Sequence, residues 1–211
     1  MSASSKSMRA EYLGPARRRG PVLDAALAIV ADGGFEGASM AAIAEGAGVA
    51  KPVLYDCFPG GKQELWFALL EREEELFVEH MAGVFTRASG HGLEHGLSDG
   101  LNGFLEYAEV RPGSFRVIFG AAGTATPEIA LRTDEVREHI VAFMAGRLAG
   151  SDNLKVPESV AELYVRGVVA VAEELARWTL RRPDLDRRAM VQLVVLWFMQ
   201  GFDRLVPAVE G

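Results

Sequence analysis

The chain has 211 residues, 49% of them hydrophobic, and a formal net charge of −7. That length suits one domain or two small ones, and the apolar fraction is enough for a sizeable core, which excludes a disordered or collagen-like chain. The acidic balance argues against a general polyanion binder but leaves room for a small basic reading head. From the N-terminus, residues 1–19 are polar, Ser-rich and then basic, with Arg17, Arg18 and Arg19 in a row. They read as a mobile basic arm. Pro21 and Asp24 suit the first turn of a helix, the one because its missing N–H is not needed there, the other through the helix dipole. Val22, Ala25, Ala26, Ile29 and Val30 recur at helical spacing, and Asp32-Gly33-Gly34 is expected to end that helix.

Ser39 can cap a second helix whose apolar face is Met40, Ile43, Ala44 and Ala47. Gly48 stops it, because glycine tolerates the left-handed backbone of a tight turn. Pro52 stands where a third helix begins, with Leu54 and Phe58 on its inner face, and Pro59-Gly60-Gly61 closes it. A long helix is expected over 62–86, its acids running Glu71, Glu73, Glu74, Glu75. Further helices are expected over 97–109, 111–121, 127–149, 157–182 and 186–205. No strand-like alternation stands out. The expected fold class is all-α, about nine helices, with three short ones first.

Residues 46–65, GAGVAKPVLYDCFPGGKQEL, raise a choice between a phosphate loop and a helical turn. The Gly61-Lys62 pair is followed by Gln63 rather than Ser or Thr, and Asp56 stands where the first glycine of a phosphate loop belongs. A short helix, a sharp turn with a small residue and a second helix with polar groups near its start make a helix-turn-helix instead. The residues Ser39, Ile43-Ala44, Ala47-Gly48-Val49, Leu54-Tyr55, Phe58, Lys62 and Glu64-Leu65 carry a resemblance. As a block the segment from Leu23 to Leu65 resembles the DNA-binding domain of the TetR family of bacterial transcriptional regulators. It departs from that pattern at Ala50, where the family usually has a capping Ser, at Pro52, at Cys57, and by one extra residue before Lys62.

The resemblance implies a helix-turn-helix domain over residues 20–64, following the arm, and a ligand-binding and dimerising domain over 65–211. It implies a homodimer, double-stranded operator DNA as partner, a small-molecule effector and more often repression than activation. Candidate DNA contacts are Arg17, Arg18, Arg19, Ser39, Lys51, Pro52, Val53, Tyr55 and Lys62. Lys51 and Tyr55 are four residues apart, so they share a helical face, and Lys62 opens the fourth helix, where an anion is favoured. Candidate ligand-lining residues are Phe104, Tyr107, Phe115, Phe119, Phe143 and Trp178, an aromatic surplus that suits a lipophilic effector with one or two polar handles. Arg116, Glu109 and Thr126 are candidate orienting groups. The stretches VVAVAEEL (168–175) and VQLVVLWFMQ (191–200) hold more apolar residues than one buried face needs. They place an interface between two chains on residues about 157–205, with Val194 and Leu196 as its test positions.

The alternative reading is a helical metal-binding protein or enzyme centred on His91 and His95, since residues 91–95 match H-x-x-E-H. Gly90, Gly92, Gly96 and Gly100 make that stretch a poor helix, so a loop or a helix start is expected there, with no metal site and no cofactor. Cys57 is the one cysteine, which rules out internal disulfides and fits a reducing compartment. The opening MSASSKSMRA has no apolar run, so no secretory leader is expected, and no stretch approaches the roughly 18 apolar residues that span a bilayer. A soluble, cytoplasmic protein without a membrane partner is the expectation.

Overall fold

The computed structural model describes residues 15–88, 90–120, 126–149, 157–182 and 184–209. Among them lie nine helices: α1 (Pro15–Gly37), α2 (Met40–Gly46), α3 (Lys51–Cys57), α4 (Gly61–Ala88), α5 (Gly92–Val110), α6 (Pro112–Phe119), α7 (Pro127–Ala149), α8 (Glu158–Arg181) and α9 (Arg187–Val209). No described residue is in a strand. No described helix is long and apolar enough to cross a membrane.

The expectations for α2 to α4 and α6 to α9 hold to within a few residues. Those for α1 and α5 do not. α1 starts at Pro15 and runs through Pro21, so residues 15–19 of the expected arm are helical, while residues 1–14 lie outside the described residues. It also runs through Asp32-Gly33-Gly34 to Gly37. Glycine costs a helix only about 1 kcal/mol against alanine, and packing of α1 on α2, α3, α4 and α6 outweighs that. α5 starts at Gly92 and carries Gly96 and Gly100 in its interior.

α1, α2 and α3 form an N-terminal three-helix unit. Val22, Ala26, Ile43, Leu54 and Phe58 fill its centre, each 1% exposed or less. α4 is continuous from this unit into the rest of the chain, so the boundary expected after residue 64 falls inside a helix. Beyond it, α4 packs on α5 and α7, and α8 packs on both of those, making a four-helix square. α9 packs on α5, and α6 bridges α1 to α4, α5 and α7. Phe77 of α4 meets Phe104, Tyr107 and Phe119 edge-on, with ring centroids 5.5, 5.0 and 5.3 Å apart, and these rings form the aromatic centre beneath the square.

Candidate nucleic-acid interface and cavity

The two short helices α2 and α3 are set at their ends. Ser39 accepts from the Ala42 N–H at 3.1 Å and caps α2. Gly48 turns the chain with φ of 63°, where a Cβ would be strained. Ala50 gives α3 no side-chain cap, and Pro52 in the first turn supplies the preset φ instead. Leu54, Cys57 and Phe58 face inward, so Cys57 is a small buried filler. Lys51, Pro52 and Tyr55 face outward, Tyr55 being 47% exposed, and Val53 is half-buried. The Tyr55 ring lies 4.0 Å from where a Cβ of Gly61 would stand, so it borders the first turn of α4, where Lys62 is half-buried. Glu64 accepts from the Gly60 N–H at 2.8 Å and fixes that turn. Lys51, Tyr55 and the start of α4 thus form one outward surface.

The three arginines separate. Arg19 donates to the Cys57 carbonyl at 3.0 Å, lies 4.4 Å over the Phe58 ring and pairs with Glu64 at 3.5 Å. It braces the first turns of α1 against the end of α3. Arg18 is half-buried, and the side chain of Arg17 lies outside the described residues.

The four-helix square of α4, α5, α7 and α8 encloses a cavity of about 400 Å³. Its walls are Met81, Phe85 and Ala88 from α4, Leu97, Leu101 and Phe104 from α5, Met144 and Leu148 from α7, and Tyr164 to Ala172 from α8. Among the described residues of this lining, Arg147, in the last turn of α7, is the one that is charged. It is exposed and sits 5.8 Å from the Phe143 ring. Burial pushes the Tyr164 hydroxyl up to about 12, so it stays protonated. Of the six aromatic residues expected to line a cavity, Phe104 does so. Phe115 and Phe119 stand behind it, at 6.1 and 5.1 Å between ring centroids. Phe143 is beside Arg147 rather than in the wall, and Trp178 is 54% exposed. Glu109 is paired with Arg187 at 2.7 Å, while Arg116 and Thr126 are exposed.

Tyr107 belongs to a buried polar cluster that sequence reasoning missed. Its centre is Glu73, fully buried on α4. Ser114 of α6 donates to Glu73 Oε2, Arg72 Nε donates to Oε1 at 2.8 Å, and Arg111 approaches at 3.4 Å. Tyr107 Oη is 2.6 Å from Ser114 Oγ, and burial raises the tyrosine above its ordinary pKa. Arg72 also donates to Asp24 of α1 at 2.7 Å. The cluster therefore joins α1, α4, α5 and α6. In the sequence Glu73 is one of a run of acids, Glu71, Glu73, Glu74 and Glu75; the signal that sets it apart is the adjacent Arg72, which gives a buried carboxylate its counter-charge.

His91 stands just before α5, and its ring is 6.2 Å from that of His95. Among the described residues no three His, Cys, Asp or Glu side chains are grouped to hold a metal ion. On α8 and α9 an apolar face points outward: Leu163 is 71% exposed, Leu193 69%, Leu196 56% and Trp197 68%. Val194, expected on that face, is 9% exposed and faces the core of its own chain. Val191, Val195 and Phe198 share that inward side, one residue round from the outer stripe of Leu193, Leu196 and Trp197.

Residues 22–69 match the family model described as bacterial regulatory proteins, tetR family, and residues 93–201 match that of the tetracyclin repressor-like C-terminal domain. The chain is similar to the HTH-type transcriptional activator FasR of Mycolicibacterium smegmatis, 27% identical over 190 residues, 89% of this chain and 84% of the relative. Among solved structures it is similar to a TetR-like transcriptional regulator from Rhodococcus sp. RHA1, at 27% identity and a TM-score of 0.67, over 90% of this chain and 98% of that one. It also shares its fold with the transcriptional regulator FadR from Bacillus subtilis in complex with stearoyl-CoA, at 18% identity and a TM-score of 0.68, over 85% and 96% of the two chains.

Proposed function

The chain belongs to the TetR family of bacterial regulatory proteins, and from that premise we propose a cytoplasmic homodimer that binds operator DNA and releases it when a lipophilic small molecule fills the cavity. Residues 20–64 act as the reading head and 65–211 as the sensing and dimerising part. Lys51, Pro52, Val53 and Tyr55 reach the major groove, while Lys62, Ser39 and Arg18, with Arg17, meet phosphates. Arg19 acts on DNA through its brace on α3.

The observation that carries this reading is the cavity: apolar walls, Arg147 as its charged handle, and Phe104 leading through Phe115 and Phe119 to α6 and so to α1. A ligand that fits one arrangement of these helices better than another shifts the head by its difference in affinity. FadR of Bacillus subtilis holds stearoyl-CoA within the same fold, so acyl chains with an anionic head are the first class to test. Saturated and unsaturated acyl-CoAs and free lipophilic acids are screened by thermal melting. A true effector at a hundredfold excess over its Kd stabilises the protein by about 2.7 kcal/mol and lowers its affinity for the DNA upstream of its own gene. Compounds that raise the melting temperature without ever changing operator affinity would refute the sensor reading.

The relative FasR is named an activator, and that favours a second reading in which the same bound state promotes transcription. Deleting the gene and measuring neighbouring transcripts separates the two by sign.

The outward apolar stripe of α8 and α9 fits a second copy of the chain. Leu196→Glu is expected to raise the dimer dissociation constant at least about a hundredfold, because an unpaired charge buried in an interface costs several kcal/mol. Light scattering reads the mass. Val194→Glu is the contrasting variant, expected to unfold the protomer itself; an intact dimer for Leu196→Glu would move the interface elsewhere.

A further inference from the structure

Three glycines of α5 line the cavity, Gly92, Gly96 and Gly100, with Gly90 just before the helix. Glycine is the least favourable helix residue after proline, so each needs a cause. Gly90 and Gly92 have φ of 92° and 76°, in the left-handed region. At Gly100 a Cβ would come 3.3 Å from Phe85, and at Gly103, further along the helix, 2.6 Å from Val84. Gly96 has none of these causes. Its φ is ordinary, and among the described residues a Cβ there would meet nothing within 4 Å. The space beside it is the cavity.

The cavity is also long. Along α5 its lining runs from Gly92 to Phe104, roughly 18 Å at the rise of an α-helix. Gly96 stands about 6 Å in from Gly92, with about 12 Å of lining beyond it. The C-terminal ends of α4 and α7 and the N-terminal ends of α5 and α8 meet at the Gly92 end, together with Arg147.

We propose that Gly96 is a specificity-determining residue, where a single unbranched chain passes the α5 backbone on its way from a head group at Arg147 to a tail end at Phe104. A side chain at 96 narrows the passage and divides the shallow part from the deep part. Short ligands then stay within the shallow part, and long ones are rejected. This rests on the cavity being the effector site.

The test uses the full-length dimer with palmitoyl-CoA and hexanoyl-CoA as probes, titrated calorimetrically against the native chain, Gly96→Ala and Gly96→Leu. The expected result is that Gly96→Leu loses at least about tenfold in palmitoyl-CoA affinity relative to hexanoyl-CoA, since a few methylenes of clash or contact are worth that much. Gly96→Ala melts at a higher temperature than the native chain, because no atom of the described residues opposes its methyl group, and loses long-chain affinity by a smaller factor. If the native chain binds palmitoyl-CoA and both folded variants bind it equally well, Gly96 has no such role while the cavity remains the effector site. If the native chain binds neither probe, both readings fall. Should Gly96→Leu not fold, the ratio of the two probes for Gly96→Ala decides, and an unchanged ratio overturns the proposal.

Discussion

Between 50 and 200 mM salt, the affinity of the dimer for its operator is expected to fall about 10³-fold. Binding to duplex DNA displaces condensed counter-ions in proportion to the phosphates neutralised, and about six contacts give a loss of this size. On the reading proposed above, Lys62, Arg18 and Arg17 are the phosphate-reaching cations, three per head, so two heads reach about that number. The first 65 residues hold seven basic and seven acidic side chains, so the head draws on the placement of its charges rather than on their sum. Arg19 adds little, because the Cys57 carbonyl, the Phe58 ring and Glu64 already hold it. Mobility assays or anisotropy over a salt series give the slope. Lys51→Ala lowers the slope by about 1 per head if Lys51 meets phosphate, and costs about 1–3 kcal/mol with relaxed sequence preference if it reads a base. Binding that does not change with salt would remove the head from the DNA backbone altogether.

Glu73→Ala is expected to lower the unfolding free energy by about 3–5 kcal/mol, the usual loss when one partner is taken from a buried ion pair. Glu73 is fully buried and receives Arg72 and Ser114, with Arg111 close by. Its removal leaves Arg72 to Asp24, and leaves the Ser114 hydroxyl only that of Tyr107, which keeps its bond to the residue 73 carbonyl at 3.4 Å. Glu73→Gln keeps an acceptor for Ser114 and loses the charge, so it costs less. Denaturant melts of the dimer measure both. An alanine variant within about 1 kcal/mol of the native chain would mean that the four helices meeting here hold together without the carboxylate.

The elements that were legible in the sequence are those whose ends are written locally. α7 occupies 127–149 as expected, between Pro127 and the Gly150 that follows it. Ser39 and Gly48 mark the cap and turn that the structure shows. The misreadings share a different cause. Gly33-Gly34 and Gly96-Gly100 are weak helix formers locally, and neighbouring helices overrule them. The bond from Arg19 to Cys57 spans 38 residues and that from Ser114 to Glu73 spans 41, so neither has a trace in nearby spacing. Val194 and Leu196 both look apolar and helical in the sequence. Only the packing of α9 on α5 shows that the first faces inward and the second outward.

Gly113, at the start of α6, has a mechanical consequence. A Cβ there would stand 3.3 Å from the Leu27 carbonyl and 3.2 Å from the Ala31 methyl of α1, so two backbones lie in contact at that point. At its other end α6 presents Phe115 and Phe119 to the ring of Phe104. The train from cavity wall to head is thus ring on ring and then backbone on backbone. A flexible side chain can change rotamer and absorb a displacement, whereas an aromatic edge and a main-chain carbonyl cannot. Such a linkage has little backlash. On the sensor reading proposed above, a displacement at Phe104 passes to α1 through these contacts.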